Sequence, residues 1–256
     1  MLFDNKIITE LANKAFEHSQ QKDEVNAFFV QRTNKAIQLW EMDELNKAII
    51  EVDNILEITP NLTFLLILKS LFYSSKKETN HSLQILDSLS NVSNEDDELI
   101  LIDFIYSCNF LQKEKWNKAL EYSNKIISRN DKSYFAYFPR GVANQEINNH
   151  KDAIKDFRIA LKEGIQTEGI KASLAFSFMK NKNYIKAIIL HRKVIKHFEN
   201  NFRVNHNIGI NYWMLNFTSK ALNHINKSIA LKNDFADGYR TRGLIYLDKG
   251  NLQKAK

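Results

Sequence analysis

The chain has 256 residues, 36 of them Lys or Arg and 30 Asp or Glu, for a formal net charge of +6. Its single cysteine excludes an internal disulfide and fits a reducing, cytoplasmic setting. The first twenty residues carry acids and no apolar run, which predicts no secretory signal, and the longest apolar stretches, 62–73 and 100–111, are too short to span a bilayer.

In chain order, residues 1–28 read as an extra helix. Asn13-Lys14-Ala15 falls in phase with the repeats that begin at residue 29, so this segment is expected to be a partial repeat acting as a cap. From residue 29 the chain repeats. Ala119, Ala153, Ala187, Ala221 and Ala255 stand 34 residues apart. Counting Ala153 as position 20 places repeat starts near 29, 63, 100, 134, 168, 202 and 236, the last repeat being incomplete. Position 8 is then Ala36, Ser70, Ser107, Gly141, Ala175, Gly209 and Gly243. Position 20 is Ala48, Ser82, Ala119, Ala153, Ala187, Ala221 and Ala255. Small residues at both positions predict two antiparallel helices crossing there at close range. Bulky residues at position 11, and at positions 24 and 27 (Val52, Ile55, Phe157, Ala160, Val194, Ile225), are expected to fill the surrounding wedge.

These columns resemble the tetratricopeptide repeat (TPR) family, whose pattern is W-x2-L-G-x2-Y, then A-x3-F, then P. The best copies are Tyr239-x3-Gly243-x2-Tyr246, Ile208-Gly209-x2-Tyr212 with Ala221 and Ile225, and Tyr137-x3-Gly141 with Ala153 and Phe157. The resemblance covers residues 29–256. It implies an all-α fold, a right-handed α-solenoid of TPR-like antiparallel helix pairs. Three features depart from the family. Three residues are inserted near 91–98, where Glu95-Asp96-Asp97-Glu98 precedes a helix and favours its dipole. Position 7 holds Lys35, Lys69, Arg140 and Arg242 where the family prefers Leu. Pro139 at position 6 predicts a helix that starts late or bends.

No catalytic constellation emerges, and neither a cofactor nor a metal site is read. The glycines form no phosphate-cradling loop, and the histidines include no i, i+4 pair. Cys108, at an inward position, reads as a small core hydrophobe.

The resemblance implies that positions 2, 5, 9 and 12 of the first helices line a concave groove. The expected peptide-binding residues are Phe64, Leu71, Phe104, Cys108, Phe138, Val142, Phe176 and Trp213, joined by the polar Arg203, His206, Asn207 and Arg240. This lining is largely apolar and does not match the Lys/Asn set with which some TPR modules clamp a carboxylate. Three accounts of it stay open: a partner's helix or peptide with an acidic segment, the chain's own continuation or a second copy in a homodimer, or a superhelix tight enough to make these residues core. The leading expectation is a non-enzymatic protein–protein interaction scaffold. The alternatives are nucleic-acid binding through the basic C-terminal part, where residues 181–256 hold 14 basic and 4 acidic side chains, and a regulatory repeat domain of a larger enzyme or transcription factor. RNA reading is disfavoured by the mostly apolar position 5 and a period of 34.

Overall fold

A computed structural model describes residues 27–89, 96–164 and 167–250. Most of the expected N-terminal cap (1–28), most of the insertion and Ala255 lie outside these. Among the described residues there are thirteen α-helices and no strand. They are α1 (Ala27–Glu41), α2 (Leu45–Leu56), α3 (Thr63–Ser75), α4 (Thr79–Leu89), α5 (Asp96–Gln112), α6 (Trp116–Arg129), α7 (Tyr137–Glu146), α8 (His150–Lys162), α9 (Glu168–Lys180), α10 (Tyr184–Val194), α11 (Phe202–Met214), α12 (Thr218–Leu231) and α13 (Ala236–Asp248). The chain divides into two compact units, 1–147 and 148–256.

In the first unit α1 packs on α2, α3 on α4 and α5 on α6, and the first helix α5 also packs on the first helices α3 and α7. In the second unit α9 pairs with α10 and α11 with α12, while α9, α11 and α13 pack in series. The small columns sit where the helices cross. Ser70 Oγ lies 3.0 Å from Ser82 Oγ, and Ser107 Oγ donates to the Ala119 carbonyl at 3.2 Å. Both pairs join position 8 to position 20, so the backbones approach within reach of one short side chain. The wedge residues Val52, Ile55, Phe157, Ala160, Val194 and Ile225 are all fully buried.

The departures from the family pattern have local causes. At position 7, Lys69 reaches Asp53 at 2.6 Å, Arg140 reaches Asn124 at 3.0 Å and Arg242 reaches Asn226 at 3.1 Å. Each crosses to the preceding second helix, so its aliphatic stem covers apolar surface while its head is paired. A 3-10 turn over Tyr134–Ala136 precedes α7, which starts at Tyr137 and carries Pro139 in its first turn, where the absent N–H has no helical partner in any case. Asp96, Asp97 and Glu98 lie inside the first turn of α5 rather than before it, still at the positive end of the helix dipole.

One regularity has no counterpart in the sequence columns. Asp43, Lys77, Glu114, Asn148, Lys182, Asn216 and Gly250 all have φ between 56° and 70°. They occupy position 15 of seven successive repeats and end each first helix. The N–H of Glu44, Glu78, Lys115, Asn183 and Phe217, each the next residue, bonds back to the position-11 carbonyl, as in Glu44 to Leu39 at 2.8 Å and Asn183 to Phe178 at 2.8 Å. This is a Schellman closure, which turns the chain into the second helix within about three residues.

Candidate functional site

The twelve residues expected to line a groove divide by environment. In the first unit Phe64, Leu71, Phe104 and Cys108 are buried. Direct packing of α3, α5 and α7 puts them into the core: Phe104 meets Phe135 edge-on at 5.3 Å, and every residue of α5 from Ile100 to Leu111 is buried. Burial raises the Cys108 thiol well above its ordinary pKa, which suits a core hydrophobe rather than a nucleophile. These four therefore do not present a surface. Phe138 and Val142, on α7, are half-buried.

In the second unit Phe176, His206, Asn207 and Trp213 are half-buried, and Arg203 and Arg240 are exposed. They come from α9, α11 and α13, the series of first helices. Caps fix two of these helices: Thr167 Oγ1 accepts from the Ile170 N–H at 3.3 Å, and Asn201 Oδ1 accepts from the Val204 N–H at 3.1 Å. Phe176 meets His150 edge-on at 6.0 Å, and Lys180 Nζ stands 5.4 Å from its ring centre.

His206 is the hinge of this face. Its Nε2 lies 2.9 Å from Thr241 Oγ1 on α13, and its ring meets Phe235 edge-on at 5.0 Å. Burial pulls its pKa below the usual value; Asp237 opposes that shift, while Arg240 and Lys180 add to it. Cations from α9 and α13 thus share one electrostatic neighbourhood with a mostly neutral imidazole. Arg203 lies over Phe202 at 5.6 Å. Arg240 is held by Asp237 at 2.8 Å. Trp213 donates to Asp248 at 2.6 Å, which ties the end of α11 to the end of α13. The arrangement offers an aromatic platform beside fixed positive charge. Lys180 and Thr241, at positions 13 and 6 of their repeats, are members that the sequence reading did not name.

Among the described residues no group of three or more His, Cys, Asp or Glu converges as a metal site would, and no helix is long and apolar enough to cross a membrane.

Comparison with curated proteins finds no match. Among solved structures, the APC/C hetero-tetramer Cut9–Hcn1 is similar at TM-score 0.68 and 15% identity, covering 98% of this chain and 46% of that one. A tetratricopeptide repeat protein from Parabacteroides merdae ATCC 43184 is similar at TM-score 0.55 and 17% identity, with 89% of each chain covered. YrrB, a TPR protein with an unusual peptide-binding site, is similar at TM-score 0.53 and 17% identity over 66% of this chain and 85% of that one. At these identities the likeness is one of fold. Residues 5–209 match the model of the tetratricopeptide repeat protein 21 C-terminal ARM domain, and the chain belongs to that family.

Proposed function

We propose that the chain is a non-enzymatic protein-interaction scaffold, and that the face formed by α9, α11 and α13 holds a partner's peptide or helix with an acidic segment. The observation that carries this reading is the gathering of Lys180 and Arg240 at half-buried His206, with exposed Arg203 one turn earlier on α11 and Lys180 Nζ standing 5.4 Å from the ring centre of partly exposed Phe176. An apolar side chain of the partner would pack on Phe176, and its carboxylates would face the cations. A helical-repeat architecture suits this task, because successive first helices present side chains at a fixed spacing. YrrB, with the same kind of fold, has a peptide-binding site. A cytoplasmic location belongs to the same reading and rests on the single, buried cysteine.

The test is capture from native cytosol by the parent and by Phe176→Ala combined with Arg203→Glu and Arg240→Glu, read by mass spectrometry. A protein retained by the parent and lost from the variant identifies the partner. Identical captured sets from both would move the site off this face. Nucleic acid is the competing ligand for the basic part of the chain. Binding of mixed RNA that falls steeply with salt, at a slope set by several phosphates, would favour it over a protein partner.

A further inference from the structure

The face formed by α9, α11 and α13 is ordered in rows. His206 shares its surroundings with Lys180 and Arg240, and each of the three has an apolar residue four positions away on its own helix: Ile210 on α11, Phe176 on α9 and Leu244 on α13. Residues four apart lie on one face of a helix, so these three belong to the face that His206 marks. All three stand at position 9 of their repeats and form a row across three successive first helices, wholly within the second unit. Phe176 and Ile210 are half-buried, and Leu244 is 43% exposed.

The spacing of the row limits what can lie along it. Packed helices stand about 8–10 Å apart, so a segment crossing them must offer an apolar side chain at about that interval. An α-helix does so at every seventh residue, which rises about 10.5 Å and returns to within about 20° of the same face. A β-strand does not, because side chains on one of its faces recur about every 6.6–6.8 Å. A polyproline II segment does, at every third residue and about 9.3 Å. It carries its peptide N–H and C=O groups unpaired, however, and an apolar row gives them no partner. A helix brings those groups already paired.

Charge marks both rims of the row. Exposed Lys180 follows Phe176 on α9, towards one end of the first helices, and exposed Arg203 precedes Ile210 on α11, towards the other. Among the described residues neither is engaged in an ion pair, whereas Arg240 is held by Asp237. We propose that this face receives one amphipathic α-helix of a partner protein, laid across α9, α11 and α13, with an apolar residue at every seventh position and Asp or Glu on both flanks of that stripe. The inference rests on the reading of this face as the binding site and adds the form and pattern of what is bound. A single helix makes a small interface, so binding is weak and transient, and its exposed charges make it salt-dependent.

The experiment titrates the whole chain into two fluorophore-labelled synthetic peptides of about 18 residues. The first is a helix former with Leu at every seventh position and Glu on both sides of that stripe. The second carries Leu at every third position among prolines, with the same number of Glu. Anisotropy should show the first bound more tightly, and circular dichroism should show it gaining helix on binding. Leu244→Ser, at an exposed site that leaves the melting of the chain unchanged, should weaken binding by about tenfold or more. Arg203→Gln should reduce its salt dependence. Preference for the second peptide overturns the helix and leaves the reading of the face in place. Binding of the first peptide that Leu244→Ser does not weaken overturns both. Failure of either peptide to bind by about 1 mM overturns the helix; if the parent still captures a cytosolic protein that the Phe176, Arg203 and Arg240 variant loses, the reading of the face survives it. Self-association of the chain that disappears in Leu244→Ser would place a second copy on the row and overturns the proposal as well.

Discussion

A Cβ added at Gly209 would stand 2.6 Å from Cδ1 of Ile225 and 3.2 Å from the Ala221 carbonyl oxygen. Ile225 is fully buried on α12, so the side chain has no open space to enter, and the carbonyl belongs to a helix backbone that cannot yield alone. Gly209→Ala should therefore destabilise the chain by about 1–3 kcal/mol through overpacking. Ile225→Val removes the nearest methyl and costs about 1 kcal/mol by itself, but in the Gly209→Ala background it should recover part of the loss. Urea unfolding of the four proteins in a double-mutant cycle measures this coupling. Strict additivity would mean that the two helices do not meet at these residues.

Cys108 offers a probe of the first unit. Its thiol is buried on a helix whose surroundings are apolar, and burial raises its pKa far above the ordinary range. In the native chain it should resist an aromatic disulfide reagent for as long as the unit stays closed, because only a solvated thiolate attacks. Its labelling rate should climb with urea in step with loss of helical signal. Rapid labelling in buffer would show that α5 opens far more readily than its packing implies.

The crossing of the helix pairs was legible in the sequence because contact distance there is set by side-chain size alone. Any residue larger than serine fails at positions 8 and 20, so the columns survive where all else varies. The groove was less legible. Positions 5 and 9 of α3 and α5 hold Phe, Leu, Ile and Cys, which suit a docking surface and a core equally well, and only the packing of α3, α5 and α7 decides between them. The polar members of the second unit carried more information, since Arg203 and Arg240 cannot be core residues without partners. Left-handed closures at position 15 went unread because their residue types, from Asp to Lys to Gly, share no size or polarity. What they share is a backbone angle.

Acid should loosen the second unit. His191 is buried on α10, Asn211 Nδ2 donates to its Nδ1 at 3.4 Å, and burial pulls its pKa from 6.5 to about 4. The native state therefore favours the neutral ring. Stability is complete above pH 6.5 and falls as the pH drops towards 4, where the unfolded chain binds a proton that the folded chain refuses. The loss from this one group is of order 3 kcal/mol by pH 4. His206 and His224 are shifted in the same direction, burial being the main cause for each. Urea midpoints between pH 7.5 and 4 should fall steadily, and His191→Gln, less stable at neutral pH, should show a shallower slope. An equal slope in parent and variant would place the acid sensitivity elsewhere.

The closures at position 15 make a prediction with a sign that separates it from ordinary helix propensity. Lys77, Glu114 and Lys182 hold φ at 65°, 56° and 60°, a left-handed conformation that costs a residue with a Cβ about 1–2 kcal/mol. Glycine adopts it freely but gives back part of the gain, about 0.4–1 kcal/mol, through the entropy of its unfolded chain. Lys182→Gly should accordingly stabilise the chain, by up to about 1 kcal/mol, although it removes a side chain and adds flexibility. Lys186→Gly, four residues on at an exposed site inside α10, should destabilise it by about 1 kcal/mol. Thermal melts of the two variants beside the parent decide the matter. If both lie below the parent, the Lys182 side chain contributes more to the closure than its backbone costs. If Lys182→Gly lies above and Lys186→Gly below, the strain is real, and Glu114→Gly and Lys77→Gly should add to it independently, because each closes a different helix pair.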